Sequence, residues 1–215
     1  MRRIARIART VRGYRAARGA TRADDDVVEV PPTAYVALLR RLSSDCDSVL
    51  DVGTGLMESL TLFPCRVRIG LDAHRPYLER RQVPDAVPIH ADALELDRLF
   101  VPGAVDLVTL VDVIEHFDEG AARELLKNAE RIARKRILVF TPRGQFPQEG
   151  YDAFGLGGEE LQRHRSAWDV EDLTTLGYRV AVLRGFHDRH NEAFVRTFGP
   201  DAPARDALLA WKSHF

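Results

Sequence analysis

The run Ser48-Val49-Leu50-Asp51-Val52-Gly53-Thr54-Gly55-Leu56-Met57 reads as an apolar strand that ends on an acid and breaks into a glycine turn. Glycines at such a turn let the backbone come close to a bound molecule, where a Cβ would collide. The acid is the unusual feature. A turn that cradles a pyrophosphate keeps this position apolar, because a carboxylate would repel the phosphates; Asp51 favours a cationic ligand instead. Further along the chain, apolar runs alternate with amphipathic segments. Strands are expected at 67–71, 86–90, 106–111 and 137–141, and continuous apolar runs of this kind suit strands covered on both faces of a parallel sheet. Between the last two lies a helix whose stripe is Ala122, Leu125, Leu126, Ala129, Ile132 and Ala133. Thr33 is placed to cap a helix carrying Tyr35, Leu38, Leu39 and Leu42, and Asp169 with Asp172 resembles a capping box. The runs 178–183 and 192–198 read as a closing antiparallel pair. The expected fold is α/β: a Rossmann-like, doubly wound, mostly parallel seven-stranded sheet with an antiparallel edge strand.

Two more acids stand at strand ends. Asp72 closes the second strand, 17 residues after Gly55, where a carboxylate can accept both hydroxyls of a ribose. Asp92 follows the third strand within His90-Ala91-Asp92-Ala93 and can accept from the exocyclic amine of an adenine. Three carboxylates converging on one crevice suit a nucleoside that carries positive charge.

As an ordered set, VLDVGTG, GLD, HADAL, VDLVTLVDVIEHF and RILVFTPRG resemble the successive motifs of class I S-adenosylmethionine-dependent methyltransferases over about residues 47–142. They are most similar to the broad group that includes the ubiquinone and menaquinone biosynthesis enzymes. The resemblance implies S-adenosylmethionine as cofactor and S-adenosylhomocysteine as product. It implies cofactor contacts from Asp51, Gly53, Gly55, Asp72, Asp92 and Ala93, with Asp112 or Val113 after the fourth strand. One departure is Met57, which stands where the glycine loop normally has a third small residue, so the following helix must sit differently.

After the fifth strand a polar and aromatic connection of about 25 residues emerges at the ligand edge of the sheet, longer than such links usually are. Its segment His164-Arg165-Ser166-Ala167-Trp168 resembles an H-x-S-x-W stretch of some bacterial methyltransferases near glycan or natural-product pathways. Here the acceptor is expected to bind, through Tyr151, His164 and Trp168. If the acceptor is a hydroxyl, His164, His116 and Asp152 are the candidate bases. The expected reaction is methylation, at oxygen, of a small-molecule, sugar or lipid-linked acceptor.

The composition sets outer bounds. The 215 residues suffice for one α/β domain, and the net charge is −1. That average hides an asymmetry: residues 1–22 hold eight arginines and no acid, leaving 23 basic against 32 acidic residues beyond them. Ile4, Ile7, Val11 and Tyr14 give the arginine-rich segment a helical apolar face. Residues 1–26 are therefore expected to form a lid, a homodimer contact or a membrane-surface helix, and residues 27–215 the methyltransferase domain. Cys46 and Cys65 show no metal spacing, and no metal is expected. A nucleic-acid partner is not expected, and the location is expected to be cytoplasmic. Two rival readings remain: a nicotinamide-dependent oxidoreductase, disfavoured by Asp51 and the missing third glycine, and a degenerate binding or scaffold module, favoured by Met57.

Overall fold

The computed structural model describes residues 26–214. The basic segment singled out in the sequence, apart from Asp26, lies outside the described residues. Eight strands form one sheet: β1 Val27–Val30, β2 Ser48–Val52, β3 Val67–Asp72, β4 Val87–His90, β5 Val105–Val111, β6 Ala133–Pro142, β7 Arg179–His187 and β8 Arg205–Ser213. Their spatial order is β1-β7-β8-β6-β5-β2-β3-β4. β8 runs antiparallel to both β6 and β7, and every other pairing is parallel. The Rossmann-like, mostly parallel sheet is as expected, with two differences. There are eight strands rather than seven, because Val27–Val30 pairs with β7 at the rim. The antiparallel strand, β8, also sits two places in from that rim, between β7 and β6.

The helices are α1 Tyr35–Leu42, α2 Arg75–Glu79, α3 Leu96–Leu99, α4 Glu119–Ile132, α5 Val170–Thr175 and α6 Glu192–Phe198. The last corrects the expected strand at 192–198. Asn191 accepts the Phe194 N–H at its start and Gly199, at φ 88°, stops it. Ala193 and Phe194 face inward together, as helical rather than strand spacing requires. The antiparallel partner of β7 is supplied instead by Asp206-Ala207-Leu208-Leu209-Ala210. Thr33 does not cap a helix: it lies inside a 3-10 turn, Pro32–Ala34, that leads into α1. The Asp169–Asp172 capping box is present, with Asp172 accepting the Asp169 N–H at 2.8 Å.

Side chains alternate across the sheet into two cores. Leu50, Val52, Val108, Leu110, Ile137 and Val139 pack with α4, α5 and Trp168 on one face. Val49, Leu107, Leu138 and Phe140 pack with α1, Met57 and Phe63 on the other. Both faces are covered by apolar side chains, which is why the strands read as unbroken apolar runs. From β2 the chain winds outward through β3 and β4, then returns to β5 on the opposite side of β2. That reversal opens a crevice at the carboxyl ends of β2 and β5, where α/β sheets bind ligands.

Candidate active site

A cavity of about 560 Å³ occupies this crevice. Its floor is the glycine turn, Gly53, Thr54 and Gly55; one wall carries Asp72, Ala73, Asp92, Ala93 and Leu94, and another carries Val111, Asp112, Val113, His116 and Phe117. The turn is fixed from below. Thr54 N–H donates to Leu71 O at 3.0 Å, joining it to β3. Gly53 has φ +67°, and a Cβ there would lie 2.6 Å from Val113 Cγ2. A side chain is excluded by both conformation and space.

Asp51 is not on the cavity wall. It is buried at 1% exposure, and its carboxylate accepts three hydroxyls: Thr54 at 2.8 Å, Ser59 at 2.5 Å and Thr109 at 2.6 Å. Burial pushes its carboxyl up from the ordinary value, and the three hydroxyls oppose that shift. The expected ligand contact is thus a rivet beneath the loop, tying the turn to the segment after it and to β5. Asp72 does face the cavity, with Oδ2 accepting the Gly55 N–H at 2.8 Å and Oδ1 the His74 N–H at 2.7 Å. Burial raises its carboxyl as well, against the pull of those two amides. Both oxygens keep a lone pair for a ligand, and their direction is preset by backbone. Asp92 accepts the Leu94 N–H at 2.9 Å and lines the same wall. Asp112 holds φ +53°, a left-handed conformation that non-glycine residues rarely adopt, at the tip of β5.

Met57 also adopts a positive φ, +65°, and is fully buried. Its side chain points into the core beneath the turn, where Cε would lie 2.8 Å from a Cβ on Gly70. Gly70 in the GLD motif is therefore small to admit Met57 and Thr54, a role that sequence reading did not assign. The segment after the turn is a five-residue 3-10 turn, Glu58–Leu62, rather than an α-helix.

The connection between β6 and α5 does reach the cavity, but through other residues than those expected. Phe154 lies over the turn, 3.7 Å from a Cβ on Gly55, and stacks edge-on against Tyr77. Leu161, Gln162 and Arg165 also line the cavity. The loop is pinned at one point by His74 Nε2 and Leu156 O, 3.0 Å apart. Asp152 is exposed and off the wall: it accepts the N–H groups of Leu156 and Gly157 at 2.9 and 2.8 Å, and so shapes the turn that presents Phe154. Those amides hold its carboxyl below the ordinary value. Tyr151 lines a second cavity with Arg196, whose guanidinium stands 4.9 Å over its ring. Trp168 is 1% exposed in the core, with its indole N–H on Ser166 Oγ at 3.0 Å. His164 packs behind the wall, its ring 5.0 Å from that of His116. Of the three candidate bases only His116 lines the cavity, and burial lowers its pKa, favouring the neutral ring. The far end of the cavity is aromatic: Tyr35 stands 4.7 Å from Phe140 and 5.3 Å from Phe186. Those partners come from β6 and β7, so no local pattern could have assembled them.

A Rossmann-like sheet with a nucleoside-sized crevice at its switch point is the class that this geometry defines. Comparison with models of known families finds no match, and comparison with curated proteins finds none either. Solved structures are similar. A SAM-dependent methyltransferase from Archaeoglobus fulgidus superimposes with a TM-score of 0.53 at 20% identity, covering 84% of this chain and 94% of that one. The YcgJ protein from Bacillus subtilis gives 0.58 at 13% identity, covering 83% and 97%. A SAM-dependent methyltransferase from Mesorhizobium loti gives 0.53 at 14%, covering 85% and 97%. The chain has the fold of these proteins. Among the described residues no helix is long and apolar enough to cross a membrane.

Proposed function

We propose that this chain transfers a methyl group from S-adenosylmethionine to an oxygen of a small-molecule, sugar or lipid-linked acceptor. The observation that carries the reading is the pair Asp72 and Asp92, at the ends of adjacent strands, facing one cavity whose floor is the Gly53–Gly55 turn. The residues fit the cofactor. Asp72 offers two backbone-oriented oxygens to a ribose, Asp92 an acceptor to an adenine amine, and Asp112 negative charge toward an ammonium. A pyrophosphate fits poorly, because the 3-10 turn after the glycines lacks the open N–H groups and dipole of a full helix. This sets the nicotinamide reading aside. The scaffold reading rested on Met57, and its side chain lies under the turn and not in the cavity.

The cofactor supplies an electrophilic methyl and its own leaving group. The protein then has to orient and exclude. Near-attack positioning can contribute roughly 7–11 kcal/mol. Phe154 covers the turn, and Tyr35, Phe140 and Phe186 give the acceptor end an apolar wall that displaces water. His116, on the cavity wall and favoured neutral by burial, is the candidate base that an acceptor hydroxyl would meet. The test is calorimetry with S-adenosylmethionine and S-adenosylhomocysteine, followed by radiolabelled methyl incorporation into small-molecule, glycan and lipid pools. Heat with both nucleosides, sharply weakened in Asp72→Ala, supports the reading. Absence of heat in the folded wild type removes it.

A further inference from the structure

Simple methyl transfer does not call for the cluster behind His116. Glu115, His116 and His164 each offer one ligand atom, and the three atoms all lie within 4.8 Å of one another. They come from two segments, the 3-10 turn Ile114–His116 after β5 and the loop before α5. Main-chain bonds lock the two together: Arg165 N–H and Ser166 N–H both donate to Glu115 O, at 2.7 and 3.2 Å. Ser166 Oγ donates to Ile114 O at 3.2 Å. The cluster is built by the fold rather than by a chance meeting of surface side chains.

Each imidazole is oriented by a backbone carbonyl. His116 Nδ1 meets Arg163 O at 3.2 Å, and His164 Nδ1 meets Phe146 O at 2.7 Å. A carbonyl only accepts, so a neutral ring held in this way carries its proton on Nδ1, and Nε2 is its ligand atom. Metal-binding histidines are prepared in this way, with the second nitrogen held by a carbonyl or carboxylate. Glu115 is 2% exposed, and its Oε2 accepts the Thr141 hydroxyl at 2.9 Å, which sets the plane of the carboxylate. A metal with ligands at about 2.0–2.2 Å places neighbouring ligand atoms roughly 3–3.5 Å apart, so atoms that lie within 4.8 Å of one another close by at most about 1.3–1.8 Å to bind it.

The geometry points to a divalent transition-metal site formed by Glu115, His116 and His164. Two imidazoles and one carboxylate, with no thiolate, suit a borderline ion of the zinc, cobalt or iron kind. Three protein ligands leave coordination positions open, and His116 is on the cavity wall. An acceptor oxygen could fill one of them and would be acidified there. That last consequence rests on the methyl-transfer reading; the metal site does not.

The full chain, untagged, stripped with chelator and dialysed, is titrated with Zn²⁺ and Co²⁺ by calorimetry. S-adenosylhomocysteine is titrated in the same preparation. The expectation is one equivalent of metal per chain. Glu115→Gln and His164→Gln each weaken it by about 100-fold, and Thr141→Val by about 10–100-fold, as loss of an outer-shell partner does. X-ray absorption of the wild-type cobalt form, which needs no variant, should count two imidazoles. No stoichiometric binding by the wild type, binding indifferent to both ligand substitutions, or a spectrum without imidazole overturns the site. Nucleoside heat without metal uptake rejects the metal site alone. Metal uptake without nucleoside heat upholds the site and rejects the cofactor reading.

Discussion

Replacing Asp51 by Asn separates a residue that grips the ligand from one that builds the loop. The native carboxylate accepts three hydroxyls at 2.5–2.8 Å with no exposed surface to speak of. Hydrogen bonds to a charged group contribute about 1.5–3 kcal/mol each. The amide keeps one accepting oxygen and turns an NH₂ toward hydroxyls that must then reverse. The loss is one to two bonds, partly offset because a neutral group is cheaper to bury. The net cost should be about 2–3 kcal/mol. With a urea slope near the upper end of ~1–3 kcal/mol/M, the unfolding midpoint should fall by about 1 M. S-adenosylhomocysteine affinity should fall by less than about tenfold, the penalty of one lost charge contact being ~1.5–3 kcal/mol. The pH dependence has a definite sign. Burial raises the folded Asp51 carboxyl, so the folded state takes up a proton more readily than the unfolded chain. Asp51 therefore adds stability as pH falls from its raised value toward the ordinary carboxylate range, and Asp51→Asn removes that gain. Urea melts at several pH values, paired with calorimetry, read all of this. Unchanged stability with a large loss of affinity would show that Asp51 touches the ligand, and the rivet argument would fall.

Other expectations follow from the same geometry. Since burial raises Asp72, nucleoside affinity should decline on acidification at a higher pH than for a free aspartate, and Asp72→Asn should flatten that profile; a pH-independent wild type would contradict it. Gly53→Ala should cost about 1–3 kcal/mol through overpacking against Val113 and the left-handed φ, with Val113→Ala recovering part of it in melts of the double variant. Trp168→Ala should cost about 3–5 kcal/mol of stability as a core truncation, whereas Tyr151→Ala should leave nucleoside affinity within twofold, roughly the scatter of an off-site change.

The architecture was legible because buried parallel strands leave an unmistakable signature: Leu50, Val108 and Val139 point one way, Val49, Leu107 and Leu138 the other, and all are apolar. The strand-end aspartates were legible as a set, but the sequence could not tell a carboxylate that faces a cavity from one that faces three hydroxyls. Ser59 and Thr109 come from different elements, so the difference between Asp51 and Asp72 exists only in three dimensions. The 192–198 segment reads as a strand because Phe194, Val195 and Phe198 are residues that strands favour, and the deciding cap at Asn191 is a single side chain. In the long loop, polar residues looked like contacts. Asp152 instead organises the backbone, and the apolar Phe154 is what reaches the cavity.

A crystal structure grown with S-adenosylhomocysteine tests the central claim most directly. The account predicts the ribose on Asp72, the adenine beside Asp92 and Ala93, and the amino acid end toward Asp112, above the Gly53–Gly55 turn. A nucleoside bound elsewhere, or a crevice that stays empty at saturating ligand, would contradict it.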